Sequence, residues 1–362
     1  MQNYFVHNDI SLAKTIHKDV YTSEIVFAEM KEKIFSKGIH YVGDTDILPV
    51  SGSVVPIVIL EAYLDEPVIM VRDKNDTYTC LSNVCTHRGN LIVTEPCKVS
   101  QLRCRYHGRT FGMDGKLVFM PEFKEVQNFP CQEDNLPALP VFLWGKLLFI
   151  SLEKTTDPLI YFKDMMDRMS FFPIDKMAKR DDLSRDYVIN ANWALYCENY
   201  LEGFHIPFVH HGLSEVLDFS DYETELYYPY SCLQLGVAKT KEGTFDLPED
   251  SPDYGRNIAA YYFWVFPNIM FNFYPWGLSI NIVQPLAVDK TKVSFISYVY
   301  DESLRNTGAG ADLDRVEQED EAIVENVQKG IRSRFYNHGR YSVTKERGTH
   351  HFHSLLAHFL KA

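Results

Sequence analysis

The chain has 362 residues, of which 46% are hydrophobic, 14% aromatic and 23% charged. This length allows two domains or one large one, and the composition is that of a folded, water-soluble protein. Lysine and arginine number 36 against 49 aspartates and glutamates, so the net charge is −13 and the protein repels phosphate backbones and anionic lipids. These values argue against nucleic-acid binding and against a metal-dependent mini-domain.

The chain shows no targeting or membrane signal. Residues 1–24 carry charges throughout and lack the apolar core of a signal peptide. The most apolar stretches, residues 48–60 and 136–152, are shorter or more interrupted than the run of about 20 residues that a spanning helix needs. We therefore expect a cytoplasmic protein that does not bind a membrane. Seven cysteines are too few for a disulfide scaffold and favour metal or redox chemistry.

Residues 40–155 are predicted to form a small all-β domain. Short apolar segments are separated there by turn-forming residues, which is the pattern of strands in an antiparallel sheet. The predicted strands include 54–60, 68–72, 77–81 and 147–152.

The remainder of the chain, residues 1–39 and 156–362, is predicted to form an α+β domain. A charged, methionine-rich connection at 162–185 precedes a region in which helical and period-two patterns are mixed. The patterns are helical at 193–204 and 314–334 and strand-like at 278–283 and 292–300.

Two pairs of metal-ligating residues lie in the β domain, in the spacings Cys85-x-His87 and Cys104-x-x-His107. Each pair supplies one thiolate and one imidazole, which is the ligand set of a Rieske [2Fe-2S] centre with cysteines on one iron and histidines on the other. A structural zinc site is the alternative, although zinc sites usually keep each ligand type in its own half. The other cysteines are expected to be small buried side chains: Cys80, Cys97, Cys131, Cys197 and Cys232.

A second group of candidate ligands follows in the α+β domain. The spacing Glu202-x-x-His205-x4-His210 resembles the iron-binding signature of the Rieske non-haem iron oxygenases. With the two cysteine–histidine pairs, the resemblance covers most of the chain. It implies a Rieske domain at 40–155 and a helix-grip-like α+β catalytic domain with an antiparallel sheet. It also implies that the cluster passes electrons to a mononuclear Fe(II), which is held by two histidines and one carboxylate and activates O2.

The two histidines of this signature need a bend in the chain. His205 and His210 are five residues apart and would diverge by about 140° on a regular helix. Pro207 lies between them and is expected to disrupt the helix so that both imidazoles converge. His211 is the competing second ligand, but the family's spacing fits His210.

The third iron ligand is expected on the predicted helix 314–334. Apolar side chains recur there with helical spacing, and Asp320 falls on the same face. A lone carboxylate among apolar side chains is costly unless it binds a cation or finds partners. The resemblance also places the carboxylate ligand in this helix, so His205, His210 and Asp320 form the predicted 2-His-1-carboxylate set. The apolar face is predicted to contain Val316, Ile323, Val327 and Ile331, with Glu317, Glu319 and Glu321 towards the rim or solvent.

Glu202 precedes His205 by three residues and shares its helical face. The resemblance implies a ring of subunits, usually a homotrimer, in which the cluster of one chain lies beside the iron of its neighbour. An acid then bridges one ligand histidine of each site, and we predict that Glu202 is this acid and acts in catalysis together with Asp320. The alternative is a solvent-exposed helical glutamate.

The substrate is predicted from an aromatic run and from the resemblance. Nine aromatic residues lie within 261–276, and those outside the sheet core suit either an aromatic substrate or a quaternary ammonium group. Glu202 and the stretches 327–333 and 351–353 are similar to the choline, glycine betaine and carnitine monooxygenase branch. We therefore expect an oxygenase that hydroxylates or N-dealkylates a quaternary ammonium compound. The alternative is an aromatic ring or aromatic acid hydroxylating mono- or dioxygenase.

The resemblance also implies an electron donor. An NAD(P)H-dependent flavin and iron–sulfur reductase, or a ferredoxin, is the expected partner. Two other classes of function have less support. A Rieske ferredoxin needs only the first 150 or so residues, and a zinc-stabilised interaction protein does not account for the second ligand group.

Overall fold

The computed structural model describes residues 4–305, 307–311 and 313–361. The chain divides into two compact units, Ser36–Thr156 and Met1–Phe35 with Asp157–Ala362. Among the described residues, no helix combines the length and the apolar character that crossing a lipid bilayer requires.

The unit Ser36–Thr156 consists of antiparallel strands, as predicted. Its strands are β1 (Ile39–Asp44), β2 (Ser53–Ile59), β3 (Glu66–Arg72), β4 (Tyr78–Ser82), β5 (Cys97–Lys98), β6 (Leu102–Arg103), β7 (Thr110–Phe111), β8 (Leu117–Phe119), β9 (Ala138–Leu139), β10 (Val141–Trp144) and β11 (Leu147–Ser151). They form three sheets with the orders β5-β2-β3-β4-β9, β1-β11-β10 and β6-β7-β8.

The hairpin of β3 and β4 shows why the predicted strands form where they do. The four central residues of β3 are completely buried, so this apolar run is covered on both faces. The turn after β3 is closed by Asp73, whose carboxylate accepts the backbone N–H groups of Asn75 at 2.8 Å and Thr77 at 2.9 Å.

The other unit packs helices against an antiparallel sheet. Its helices are α1 (Asp19–Thr22), α2 (Glu24–Lys33), α3 (Leu159–Arg168), α4 (Trp193–Tyr200), α5 (Ile206–Val209), α6 (His211–Val216), α7 (Leu313–Ile331) and α8 (Arg347–Lys361). Its strands are β12 (Ala178–Lys179), β13 (Arg185–Ile189), β14 (Glu223–Tyr227), β15 (Ser231–Val237), β16 (Ile258–Val265), β17 (Ile269–Tyr274), β18 (Gly277–Ala287) and β19 (Lys290–Val299). The sheet order is β12-β19-β18-β17-β16-β15-β14, and β13 also pairs with β19.

The connection predicted at 162–185 contains regular structure. Helix α3 begins before it and buries Phe162 and Met165, so the first part of the methionine-rich sequence belongs to a packed helix. The exposed cysteines also differ from expectation, since Cys97 and Cys131 lie at the surface while Cys80, Cys197 and Cys232 are buried as predicted.

The buried face of α7 differs from the predicted one. Ile323 and Val327 are 38% and 44% exposed, whereas Val324 and Gln328, each one position further on, are buried. Gln328 can be buried because its Oε1 accepts the backbone N–H of Asn192 at 2.8 Å. The prediction was wrong at Ile323 and Val327 because it took apolar character alone as the mark of the inner face, whereas Ile331 is buried as predicted.

Candidate active site

The all-β unit brings together the four residues of the first ligand group. Cys85 and Cys104 are buried and close enough for their thiols to interact, and the ring centroids of His87 and His107 lie 4.7 Å apart. The two sulfurs therefore lie deeper than the two partly exposed imidazoles. Pairing of like ligands is what a [2Fe-2S] cluster needs when cysteines bind one iron and histidines the other.

The two ligand loops have the same backbone hydrogen bonds. In each loop the cysteine N–H donates to the carbonyl five residues later, at 2.9 Å for Cys85 and 2.8 Å for Cys104. The glycine four residues after the cysteine donates back to it, at 2.9 Å for Gly89 and 3.1 Å for Gly108. Both glycines have positive φ, 71° and 78°, which a side chain would disfavour. The loops thus present their ligands from matching turns.

The donors and acceptors around these loops fit an iron–sulfur cluster. Backbone N–H groups of Tyr106 and His107 point at the sulfur of Cys104, and the side-chain amide of Asn90 lies 3.6 Å from it. Burial alone raises the pKa of Cys104, but these hydrogen bonds, with the interaction with Cys85, outweigh it and lower the pKa, which favours the thiolate at Cys104. The pKa of Cys85 is raised, mainly by burial. Nδ1 of His87 is buried with no hydrogen-bond partner among the described residues, which suits an atom that binds a metal.

The second group is assembled from two parts of the other unit. His205 and His210 flank the short helix α5, and Asp320 lies on α7. The Nε2 atoms of the histidines are 3.1 Å apart, and Oδ1 of Asp320 lies 3.4 Å and 3.0 Å from them respectively. Ligands at right angles on bonds of about 2.1 Å are separated by about 3.0 Å, so these atoms fit three adjacent positions around one ion. An ion held by these three residues alone would keep further positions open for O2.

The bend in the helix arises before His205, between α4 and α5, and not at Pro207, contrary to the expectation. Helix α4 ends at Tyr200, and Pro207 lies in the first turn of α5, where its missing N–H costs nothing. Within the bend, a Cβ at Gly203 would lie 2.4 Å from the ring of Tyr222, so only glycine fits there. His211 begins α6 and its side chain is exposed, away from the three grouped residues.

Each histidine is oriented by a carboxylate at its other nitrogen. Nδ1–H of His205 donates to Glu202 at 2.8 Å, and Nδ1–H of His210 donates to Glu319 at 2.9 Å. Because a carboxylate only accepts, both Nε2 atoms are left to carry a lone pair towards Asp320. Three electron-rich atoms facing one another call for a cation. Glu319 was predicted to lie towards the rim or solvent, and its side chain is 26% exposed, but one of its oxygens is engaged inside the site.

The electrostatics of this group lead to the same conclusion. Burial by itself lowers the pKa of His205, but hydrogen bonds and charge from Asp320 and Glu202 outweigh it and raise the pKa to about 9. Burial likewise raises the pKa of Asp320, yet its two histidine partners lower it overall. The site therefore favours a positive charge between these groups, whether a proton or a metal ion.

A cavity opens beside the three grouped residues. One row of its lining crosses the sheet, because the strand register aligns Gln234, Tyr262, Asn272 and Ser279 on one face. Most rings of the aromatic run 261–276 are buried in the sheet core, as predicted, and those of Tyr262 and Tyr274 line the cavity. Further rings come from outside the run: Tyr196, Tyr200, Tyr222 and Phe295.

Glu317 also lines this cavity, and its predicted position towards rim or solvent was wrong. Its exposed fraction is 3%, and the hydroxyl of Tyr196 donates to its Oε2 at 2.6 Å. Burial raises the pKa of Glu317 well above its usual range. A partner 121 positions away in the sequence makes this burial possible, which no local pattern indicates.

Sequence reasoning also missed Arg109, which follows the second ligand loop. Its guanidinium is buried and donates to Asp134 at 2.6 Å, and Phe111 and Phe129 pack around it. Arg109 therefore ties the loop of Cys104 to a distant segment of the same unit. Its position directly after the ligand motif was the available signal.

Comparison with known proteins agrees with both sites. A family model described as Rieske [2Fe-2S] domain matches residues 50–130, and one described as ring hydroxylating alpha subunit (catalytic domain) matches residues 175–362. Choline monooxygenase of Arabidopsis thaliana, named as chloroplastic, is 34% identical over 315 residues, which are 82% of this chain and 72% of the relative. The carnitine monooxygenase oxygenase subunit of Escherichia coli strain K12 is 27% identical over 366 residues, 96% of this chain and 94% of the relative.

The fold is also that of a solved structure. A quaternary ammonium Rieske monooxygenase, described in terms of carnitine oxidation and inter-subunit electron transfer, superposes with a TM-score of 0.76. The two chains are 24% identical, and the superposition covers 97% of this chain and 96% of the relative's chain. The similarity establishes the fold and confirms the predicted fold class. The chain belongs to the Rieske non-haem iron oxygenases, the family of the ring-hydroxylating oxygenase alpha subunits, and is an oxidoreductase that uses a Rieske [2Fe-2S] cluster, a mononuclear iron and O2.

Proposed function

We propose that this protein is the oxygenase component of a monooxygenase that hydroxylates or N-dealkylates a quaternary ammonium compound. The observation that carries the proposal is the aromatic lining of the cavity beside His205, His210 and Asp320. Tyrosine rings attract a quaternary ammonium group through cation–π contacts, and they do not require the substrate to donate a hydrogen bond. The relatives named for choline and carnitine support the same substrate class.

The assignment of residues to the two metal sites is part of the proposal. Cys85, His87, Cys104 and His107 hold the cluster, within a Rieske domain at 40–155. The buried sulfurs, the paired imidazoles and the unpartnered Nδ1 of His87 support it. The cluster supplies single electrons when bound.

His205, His210 and Asp320 hold the iron in the catalytic domain at 1–39 and 156–362. The short distances between their ligand atoms support it. Iron bound there supplies O2 activation, while Glu202 and Glu319 keep the two imidazoles turned towards it. The tyrosines of the cavity hold the substrate beside the open positions.

Electron delivery is proposed to follow the family's arrangement. Glu202 accepts a hydrogen bond from His205, and its side chain is 17% exposed, so it can also meet a group from outside the chain. We propose that it bridges to the cluster of a neighbouring subunit in a homotrimer, as inter-subunit transfer in the solved relative suggests. An NAD(P)H-dependent reductase or a ferredoxin supplies the cluster. The proposed location is the cytoplasm, which subcellular fractionation tests.

Single-turnover product analysis tests the proposed function without a known reductase. The iron-loaded protein is reduced chemically, mixed with O2 and incubated separately with choline, glycine betaine, carnitine and a panel of aromatic acids. We expect a hydroxylated or dealkylated product, detected by mass spectrometry, from at least one quaternary ammonium compound. Conversion of an aromatic acid alone would replace the proposal by the aromatic alternative.

A further inference from the structure

One oxygen of Glu317 has no role in the geometry described so far. Oε2 accepts the hydroxyl of Tyr196, but Oε1 is buried without any hydrogen-bond partner among the described residues. A buried carboxylate oxygen left without a partner carries a desolvation cost, so such an atom calls for a donor or a cation. The hydrogen bond from Tyr196 satisfies only one of the two carboxyl oxygens of Glu317.

Glu317 lies beside the cavity and outside the group of potential metal ligands. It lies one turn before Asp320 on α7 and lines the same cavity. The described group of potential metal ligands contains His205, His210 and Asp320, and Glu317 stands outside it. Its free oxygen is thus available to a molecule in the cavity.

The charges lining the cavity favour a cation. Among its described lining residues, three are carboxylates and none is lysine or arginine. Glu202 and Asp320 are both engaged with histidines, which leaves Glu317 as the carboxyl group without an ionic partner. Burial raises its pKa, and a cation bound beside it would lower that pKa and favour the carboxylate. In a buried site an unscreened charge acts strongly on an opposite one.

We infer that Glu317 is the specificity-determining counter-ion that selects a positively charged substrate over a neutral one of the same shape. The inference rests on the proposed function and deepens it. The tyrosine rings accept the methyl groups of a trimethylammonium head, and Glu317 supplies the negative charge near it. A quaternary nitrogen donates no hydrogen bond, so the interaction is one of charge and needs no defined donor geometry.

Binding of an isosteric pair tests this role. Choline and 3,3-dimethyl-1-butanol have the same shape, but the second has carbon in place of the charged nitrogen. Their dissociation constants are measured by titration calorimetry on the anaerobic, iron-loaded enzyme. In Glu317→Gln we expect choline affinity to fall at least about tenfold while affinity for the neutral alcohol changes little.

Three comparisons make the result specific. Iron content and the Rieske absorption spectrum should be unchanged in Glu317→Gln, because Glu317 binds neither metal. Glu321→Gln removes the same charge from the same helix outside the cavity lining and should leave both affinities unchanged. Glu317→Met provides a second neutral side chain of similar length, with the same expected loss of preference, should the glutamine variant not load iron.

The outcomes separate this inference from the function on which it rests. If the wild-type enzyme prefers choline and Glu317→Gln and Glu317→Met keep that preference, the inference is wrong and the proposed function stands. If the wild-type enzyme neither binds nor converts any quaternary ammonium compound, the proposed function fails and the inference fails with it. Loss of the preference in the Glu317 variants but not in Glu321→Gln supports both.

Discussion

Each histidine of the proposed iron site is held at Nδ1 by its own carboxylate, Glu202 for His205 and Glu319 for His210. These acids fix which nitrogen faces the metal and make the imidazoles better electron donors. Glu319 is also paired with Arg315 on the same helix at 3.0 Å, but that arginine is largely exposed. We therefore expect the contact of Glu319 with buried His210 to affect iron binding and its contact with exposed Arg315 to have little effect.

Replacing Glu319 with alanine should weaken iron binding. His210 would lose the acceptor that orients it, and loss of such a partner typically costs about 10–100-fold in metal affinity. Competition with a chelator measures the change. Arg315→Gln is the matched control and should leave iron affinity unchanged, because an exposed ion pair contributes little. Equal iron affinity in Glu319→Ala and wild type would contradict the orienting role.

Iron binding should also depend on pH. His205 has a pKa of about 9 in the metal-free protein, so below that pH the site holds a proton that iron must displace. The apparent iron affinity should then rise as pH increases towards about 9, by about tenfold per pH unit for one released proton. Calorimetry in buffers of different ionisation enthalpy measures both affinity and proton release. An affinity independent of pH across this range would show that His205 is neutral in the free site.

At the scale of elements, α7 combines a structural face with three acidic side chains that reach the active site. The inner face is displaced by one position from the apolar pattern, since Val324 is buried and Ile323 is not. Polar side chains occupy the remaining inner positions because each finds a partner on another element. The helix is thereby fixed in rotation by hydrogen bonds as well as by apolar contacts.

Two neighbouring substitutions test the rotation of α7. Val324→Ala should destabilise the protein by about 2 kcal/mol, because it removes two buried methyl groups and leaves a small cavity. Ile323→Ala removes more apolar volume, but from a side chain that is 38% exposed, and should cost clearly less. Urea unfolding of the two variants gives the comparison. A larger loss of unfolding free energy in Ile323→Ala than in Val324→Ala would indicate that the face predicted from the apolar residues is the buried one.

The parts of the site that the sequence predicts are those encoded at short range. The spacings around Cys85, Cys104 and His205 are local, and the fold brings each group together. Asp320 was found from helical spacing although the apolar residues assigned beside it were partly wrong. Glu319 could not be placed on His210 by any pattern, since the two are 109 positions apart and their contact depends on how α7 packs.

At the scale of the whole molecule, the two proposed metal sites lie in different compact units, so each should be removable without the other. Cys85→Ser should abolish the visible absorption and the reduced-state EPR signal of the cluster but retain mononuclear iron. Asp320→Ala should lose the mononuclear iron and turnover but keep the cluster spectrum. Metal and sulfide analysis of both variants measures this reciprocity. Loss of both metals in either variant would mean that the sites are not independent.

The last prediction concerns the link between the two sites in an assembly. Glu202 holds His205 through one oxygen, while the other accepts the backbone N–H groups of Phe204 and His205. Glutamine at this position keeps the shape and one acceptor but removes the charge and half of the accepting capacity.

Glu202→Gln should therefore load both metals and accept electrons from a reductant into the cluster. Transfer to the iron should be much slower, because the bridging carboxylate is absent, and product should nearly vanish. Stopped-flow absorbance of the cluster after mixing with O2 and substrate follows this step. Asn199→Ala, which also alters the cavity lining but no acid, should keep fast cluster oxidation. Cluster oxidation at the wild-type rate in Glu202→Gln, or a fully active monomer in light scattering, would rule out the bridge.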